Sequence, residues 1–198
     1  MPSAKDTKTG AVEPAICEIA LSADQLLRAL LGLPSHQRLS ILDSCNARDA
    51  SARFLIAGFD PFEIIEARGS KLRVTQRGQS GEQVLPGDAL KSLDERLARY
   101  LAPPHAPPPP PHDDLPATGA CIATFSYELG YQLERLRLRA GRELADEPDM
   151  VLAFYDTLVI HDYARGVTRV TSVGGRKRLD ETVGALTKAL NANDVFES

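Results

Sequence analysis

Few side chains in this sequence stand at a spacing that could do chemistry. The segment "ILDSCN" (residues 41–46) sets Asp43 and Ser44 at the end of an apolar strand, and Arg53 follows a short loop later. A carboxylate, a hydroxyl and a guanidinium so arranged could hold the ammonium and carboxylate of a free amino acid. The same residues have a plainer use, in which Asp43 and Ser44 cap the loop and Arg53 pairs with Asp43 across a hairpin. From the residues alone the plainer use is the stronger reading.

Other constellations are sparse. The histidines are His36, His105, His112 and His161. Two of them fall in or beside a proline tract, where an unpacked loop cannot hold catalytic geometry. His161 and Asp162 are neighbours on one strand and therefore point to opposite faces, which rules them out as a dyad. His161 reads as a solvated or core-edge residue. No nucleophile elbow, phosphate loop, metal-binding helix or dinucleotide fingerprint is present. Gly174-Gly175 ahead of Arg176 could form a small anion nest, but a strand-to-helix turn is the simpler expectation. Cys17, Cys45 and Cys121 are isolated and odd in number, so they predict buried thiols in a reducing compartment, not a zinc site or a disulfide framework.

These residues must be positioned by an α+β chain. Residues 1–13 are polar and are expected to be disordered. "AICEIAL" (15–21) alternates as a strand, and Ser22 then stands as an N-cap before leucines at three- and four-residue spacing. Gly32 and Pro34 end that helix. Short strand candidates follow at 38–44, 53–60, 62–69 and 71–76, with Asp60-Pro61 as a break. Such close spacing favours antiparallel pairing. "PGDALKSLDERLARYL" (86–101) predicts an amphipathic helix with Leu90, Leu93, Leu97 and Leu101 on one face.

Residues 102–116 hold eight prolines in fifteen positions. Proline lacks an amide donor, so this stretch predicts a stiff surface loop of polyproline II character, or a ligand for a proline-binding domain. Strands resume at 119–126, 150–163 and 167–173, with 164–166 as a hairpin connection, and a helix over 178–191 closes the chain. Strands grouped with a few helices, not alternating with them, give a single α+β domain over 14–198, mainly of antiparallel sheets with flanking helices.

Composition narrows the partners. The 198 residues are 43% hydrophobic and 25% charged, enough for a core, and the net charge of −4 comes without a basic stripe. Nucleic acid is therefore not expected as a partner. No apolar run approaches the ~20 residues needed to cross a bilayer, and residues 1–30 lack a secretory pattern. A cytoplasmic protein without membrane attachment is expected.

Three stretches taken together resemble one family. "ARFLIAGFDPFEIIEARG" (52–69), "DLPATGACIATFSYELGYQLERL" (114–136) and "EPDMVLAFYDTLVIHDY" (147–163) are similar, in order and spacing, to segments of the aminodeoxychorismate synthase component I and anthranilate synthase component I group. The resemblance covers roughly residues 15–195. It implies the family's N-terminal domain of two packed sheets, with the second stretch as a normally glycine-rich strand near its centre. Ala120, Ala123 and Ser126 stand here where the family usually has glycine, and each adds a Cβ.

The resemblance also implies that chorismate and Mg²⁺ bind a larger C-terminal domain, expected beyond this sequence, so no cofactor and no unaided activity are expected of this chain. Its implied partners are a chorismate-binding catalytic chain and a glutamine amidotransferase that supplies ammonia. By position Leu42, Asp43 and Ser44 match a family segment that contacts a feedback-inhibiting amino acid, with Arg53 near a family basic position. The function so implied is that of a non-catalytic domain or subunit of a split synthase. The alternatives are a stand-alone amino-acid-binding module or an inactive fragment.

Overall fold

The computed structural model describes residues 14–45, 52–100, 115–127, 129–130, 134 and 147–194. The expected disordered N-terminus (1–13), most of the proline-rich loop, His105, His112 and Leu101 lie outside the described residues. Strand β1 (Ala15–Ile19) leads into helix α1 (Ala23–Leu31). Ser22 caps this helix as predicted, and a full capping box forms: its hydroxyl accepts from the Gln25 amide while the Gln25 side chain accepts from the Ser22 amide. Gly32 closes the other end. Leu26 and Leu30 are wholly buried, and each contributes about 2 kcal/mol by leaving water.

The next strands are β2 (Ser40–Asp43), β3 (Phe54–Gly58), β4 (Glu63–Arg68) and β5 (Lys71–Gln76). A further strand that the sequence pattern did not predict, β6 (Gln83–Pro86), follows. It is short, exposed and ends in proline, which fits an edge position. Helix α2 runs over Ala89–Tyr100 and so starts later than the pattern predicts. The side chain of Asp88 accepts from the Lys91 amide at 2.8 Å and sets that start. Leu93 and Leu97 pack inward as expected, but Ala89 takes the buried place expected for Leu90, which is partly exposed.

The chain ends with β7 (Ala120–Phe125), β8 (Met150–Tyr155), β9 (Thr157–Asp162), β10 (Val167–Ser172) and α3 (Arg176–Asp194). Gly174 and Gly175 form the strand-to-helix turn, Gly175 with φ +84°. All strand pairs are antiparallel, in two five-stranded sheets: sheet A in the order β1-β10-β9-β3-β2 and sheet B in the order β6-β5-β4-β8-β7. With three α-helices among the described residues, this is the expected α+β fold.

Three apolar clusters give the layer order. Leu55, Ala57, Val159 and Val170 of sheet A pack against α1 and α3. Ile65, Ala67, Leu72 and Met150 of sheet B pack against α2. Between the sheets lie Ala153 and Tyr155 of β8, Leu158 and Ile160 of β9, Phe54 and Ile56 of β3, and Ala120 and Ile122 of β7. The resemblance places the 119–126 strand near a centre. Among the described residues β7 is the end strand of sheet B.

Residues 150–163, expected as one strand, are two strands in different sheets, with only Asp156 between them. The reason is electrostatic. Asp156 turns its carboxylate onto Arg77, whose Nη1 and Nη2 donate to it at 2.9 and 3.1 Å. Arg77 also bonds the backbone oxygen of Asp60, at the break between β3 and β4. Arg178 of α3 reaches the Asp60 carboxylate at 3.0 Å and stands 3.8 Å from Asp156. Both points where the chain leaves one sheet for the other are thus held by the same two guanidinium groups. Burial pushes the Asp156 carboxyl up, but the two arginines outweigh it and hold it below the usual carboxylate range.

Beside this crossover the Tyr155 ring lies against Gly58, and its hydroxyl donates to the Arg38 carbonyl and contacts the Ser40 hydroxyl, both at 2.8 Å. A Cβ on Gly58 would stand 2.6 Å from the ring. Gly58→Ala is therefore expected to destabilise the fold by about 1–3 kcal/mol through overpacking, read as a lowered urea midpoint. An unchanged midpoint would show that the ring can move aside.

Candidate functional site

The residues that could bind a ligand collect at one end of sheet A. Its cross-strand register sets Asp43 of β2 opposite Leu55 of β3, Leu55 opposite His161 of β9, and His161 opposite Thr168 of β10. This places Asp43, His161 and Thr168 along one line across the sheet, on the face covered by α1 and α3.

Each polar residue on that line has a protein partner. Thr168 donates to the Leu21 carbonyl at 2.6 Å, so its oxygen is left to accept from Nδ1 of His161 at 2.8 Å. That fixes the proton on Nδ1 of the ring. Burial holds the His161 pKa below its usual value, and the residue is buried, not solvated. The Tyr163 ring meets His161 edge-on at 5.0 Å, and its hydroxyl donates to Oδ1 of Asp43 at 2.9 Å. Burial, followed by the Asp43 carboxylate, pushes the Tyr163 phenol up to about 12. The same Asp43 oxygen accepts from the Cys45 amide at 2.7 Å, where the backbone turns through φ +56°.

The predicted set does not assemble as one pocket. Arg53 does not pair with Asp43. Its Nε and Nη2 reach both oxygens of Asp162, at 3.1 and 2.6 Å for the shorter contacts. Asp162 pairs with Phe54 in the register, next to Arg53, and its almost fully buried carboxylate takes the guanidinium on both oxygens. Oδ1 of Asp43 is instead engaged by Tyr163 and the Cys45 amide. The Ser44 hydroxyl donates to the Phe54 carbonyl at 2.9 Å and closes the strand pair. Leu42 alternates to the other face of β2 and is 53% exposed. Sequence reasoning missed Asp162 and Tyr163. The available signal was the "HDY" that ends β9, once β9 is placed beside β3.

Elsewhere the buried Glu63 of β4 is matched by Arg96 of α2 at 2.8 Å, by Gln76 and by Tyr100. This pairing pins α2 to sheet B. Cys17 and Cys121 are half-buried and Cys45 is exposed, so none of the three thiols is the buried core residue expected. Burial pushes the Cys121 thiol up to about 11. A cavity of about 210 Å³ lies on sheet B, lined by Glu66, Arg68, Lys71, Leu72, Arg73 and Val84 among others. It is below the ~300 Å³ of an ordinary ligand pocket, and none of Leu42, Asp43, Ser44 and Arg53 lines it. Among the described residues no three His, Cys, Asp or Glu stand close enough to hold a metal ion, and no helix is long and apolar enough to cross a membrane.

Fold and site together define an α+β domain of two antiparallel sheets whose charged groups mainly serve one another. No family model matches the chain. Aminodeoxychorismate synthase component 1 of Klebsiella aerogenes is 27% identical over 154 residues, which cover 78% of this chain and 32% of that protein. Aminodeoxychorismate synthase component 1 of Salmonella typhimurium is 33% identical over 133 residues, which cover 67% of this chain and 27% of that protein. The chain is similar to these proteins over most of its own length, and the extent of the matches is consistent with a partial N-terminal domain. It spans about a third of the length of these relatives.

The Arg53–Asp162 pair carries a pH signature. The Arg53 hydrogen bonds hold the Asp162 carboxyl below its ordinary value of 3.8. A carboxyl lowered in the folded state stabilises that state above its unfolded value, and the contribution is lost as pH falls through the lowered folded value. Arg53→Met is expected to cost about 1–3 kcal/mol near pH 7 and to flatten the fall in stability below about pH 4. Urea titrations at pH 3, 4 and 7 check this, and equal losses at all three would contradict it.

Proposed function

We propose that this chain is the non-catalytic N-terminal domain or subunit of an aminodeoxychorismate synthase component I, or of the neighbouring anthranilate branch. In this role it supports chorismate amination in folate or tryptophan biosynthesis in the cytoplasm. The observation that carries the reading is the match itself: most of this chain aligns with only 32% and 27% of two component 1 proteins. The chemistry of the described residues supports it. The carboxylates of Asp156 and Asp162 and the buried Glu63 are each held by arginine, so these groups serve the fold before any substrate. On this reading a chorismate-binding catalytic chain performs the reaction and a glutamine amidotransferase supplies ammonia. Mg²⁺ is assigned to the catalytic chain.

A second reading keeps the end of sheet A as an amino-acid site. Asp43, Ser44 and Arg53 do lie at adjoining strand ends, with Leu42 exposed beside them. An incoming carboxylate would have to compete with Asp162 for Arg53, and an incoming ammonium would have to share Asp43 with Tyr163. Affinity of the chain alone should therefore be weak, on the order of millimolar.

Two measurements separate the readings. Mixed with a chorismate-binding chain of the same organism, the purified protein is expected to form a complex and to raise chorismate turnover. Neither binding nor added turnover, or conversion of chorismate by the 198-residue chain alone, would reject the synthase reading. Calorimetry with tryptophan and related amino acids tests the second, and the absence of heat at millimolar ligand ends it.

A further inference from the structure

The cavity on sheet B is lined by charged groups that the fold does not fully use. In β4 and β5, Ile65, Ala67, Leu72 and Val74 turn toward α2. Glu66, Arg68, Lys71 and Arg73 therefore turn to the opposite face. The register sets Glu66 opposite Arg73 and Arg73 opposite Val84. Arg68 stands opposite Lys71 in the next row. All five line the cavity of about 210 Å³, with Val84 on the β6 side and Pro148 on the β8 side. Arg38, just ahead of β2, comes within 3.8 Å of Glu66.

Two of these groups have bonding capacity left over. The Glu66 side chain is only 18% exposed, yet Arg73 and Arg38 stand 3.7 and 3.8 Å from it, beyond hydrogen-bond distance. Among the described residues its carboxylate makes no hydrogen bond. Glu63 on the same strand differs, because Arg96, Gln76 and Tyr100 all reach it. A sheltered carboxylate normally has its lone pairs filled, so Glu66 offers an acceptor to something else. Lys71 is exposed and has no ion pair among the described residues. Around the cavity Arg38, Arg68, Lys71 and Arg73 outnumber the carboxylates Glu66, Glu82 and Asp149. That balance attracts an anion. With two guanidinium groups already beside it, Glu66 suits a neutral donor better than a further cation.

We propose that this cavity binds a small aromatic monocarboxylate: a single ring with a carboxylate at one end and a neutral O–H or N–H donor at the other. The carboxylate meets Lys71 in the row it shares with Arg68, the ring lies between Val84 and Pro148, and the donor bonds Glu66. The two rows are two residues apart along the strand, ~6.8 Å. A para-substituted ring spans that separation. An α-amino acid does not, because its charged groups share one carbon. The size agrees, since a cavity of ~150 Å³ accepts benzene, and 210 Å³ leaves room for two small substituents. This site is separate from Asp43, Ser44 and Arg53, and it stands independently of the synthase role.

Titration of the isotope-labelled full chain with 4-hydroxybenzoate is expected to shift amide signals over 66–73 and at Val84. The shifts should saturate with a Kd of about 1 mM. Benzoate lacks the donor and should bind about three- to tenfold more weakly, while phenol lacks the charge and should not saturate. Lys71→Ala should weaken both acids by up to about fivefold and keep the preference for the hydroxyl. Glu66→Met should abolish that preference while leaving benzoate bound at least as well, which a purely structural role of Glu66 would not produce. If Glu66→Met fails to fold, Lys71→Ala and the two acids on the wild-type chain still decide the matter. The site is overturned by no saturation at about 20 mM, by equal affinity for the two acids, by indifference to Lys71→Ala, or by shifts centred on 41–45 and 53–56. Each of these results leaves the synthase reading standing.

Discussion

The fold depends on one partly buried carboxylate. Asp156 stands at the single residue between β8 and β9, where the chain passes from sheet B to sheet A. A charge at such a place is costly unless it is matched, and Arg77 matches it with two hydrogen bonds while Arg178 stands close by. Because the same arginines hold Asp60, the two crossings of the chain are fixed relative to each other. The inter-sheet core around Tyr155, Leu158 and Ile160 is then laid down on both sides of that point. The packing of Tyr155 against Gly58 and the opposition of the two sheets both follow from that turn.

Much of this arrangement was legible in the sequence where local chemistry decides the structure. Ser22 and Gly32 mark the ends of α1 because caps act within a few residues. The antiparallel pairs β4–β5 and β9–β10 follow from short connections. What could not be read is decided at long range. The run 150–163 looks like one strand because apolar residues continue through it, and only Arg77 and Arg178, far away in sequence, show that Asp156 must turn. β6 was hidden by Pro86, which reads as a helix start, and Asp88 moves the true start of α2 three residues on.

The candidate site shows the same division. The sequence placed Asp43, Ser44 and Arg53 correctly at adjoining strand ends, but their partners depend on which strand lies beside β3. Once β9 occupies that place, Asp162 captures Arg53, and Tyr163 follows to Asp43. A set that looked ready for a ligand becomes two internal pairs. Their charges stiffen the end of sheet A, and a ligand there would have to displace a bond of about 2.6–2.9 Å.

The proline-rich tract separates two lengths of chain that are interlocked, not stacked. Residues before it supply β1, β2 and β3 to sheet A and β4, β5 and β6 to sheet B. Residues after it supply β9 and β10 to the first and β7 and β8 to the second. The seams β1–β10, β3–β9 and β4–β8 each join one length to the other. Neither length can complete a sheet by itself, so the two cannot melt as separate units. Severing the tract would remove a tether while leaving every seam in place, and the two pieces would be expected to remain clasped together as a nicked whole.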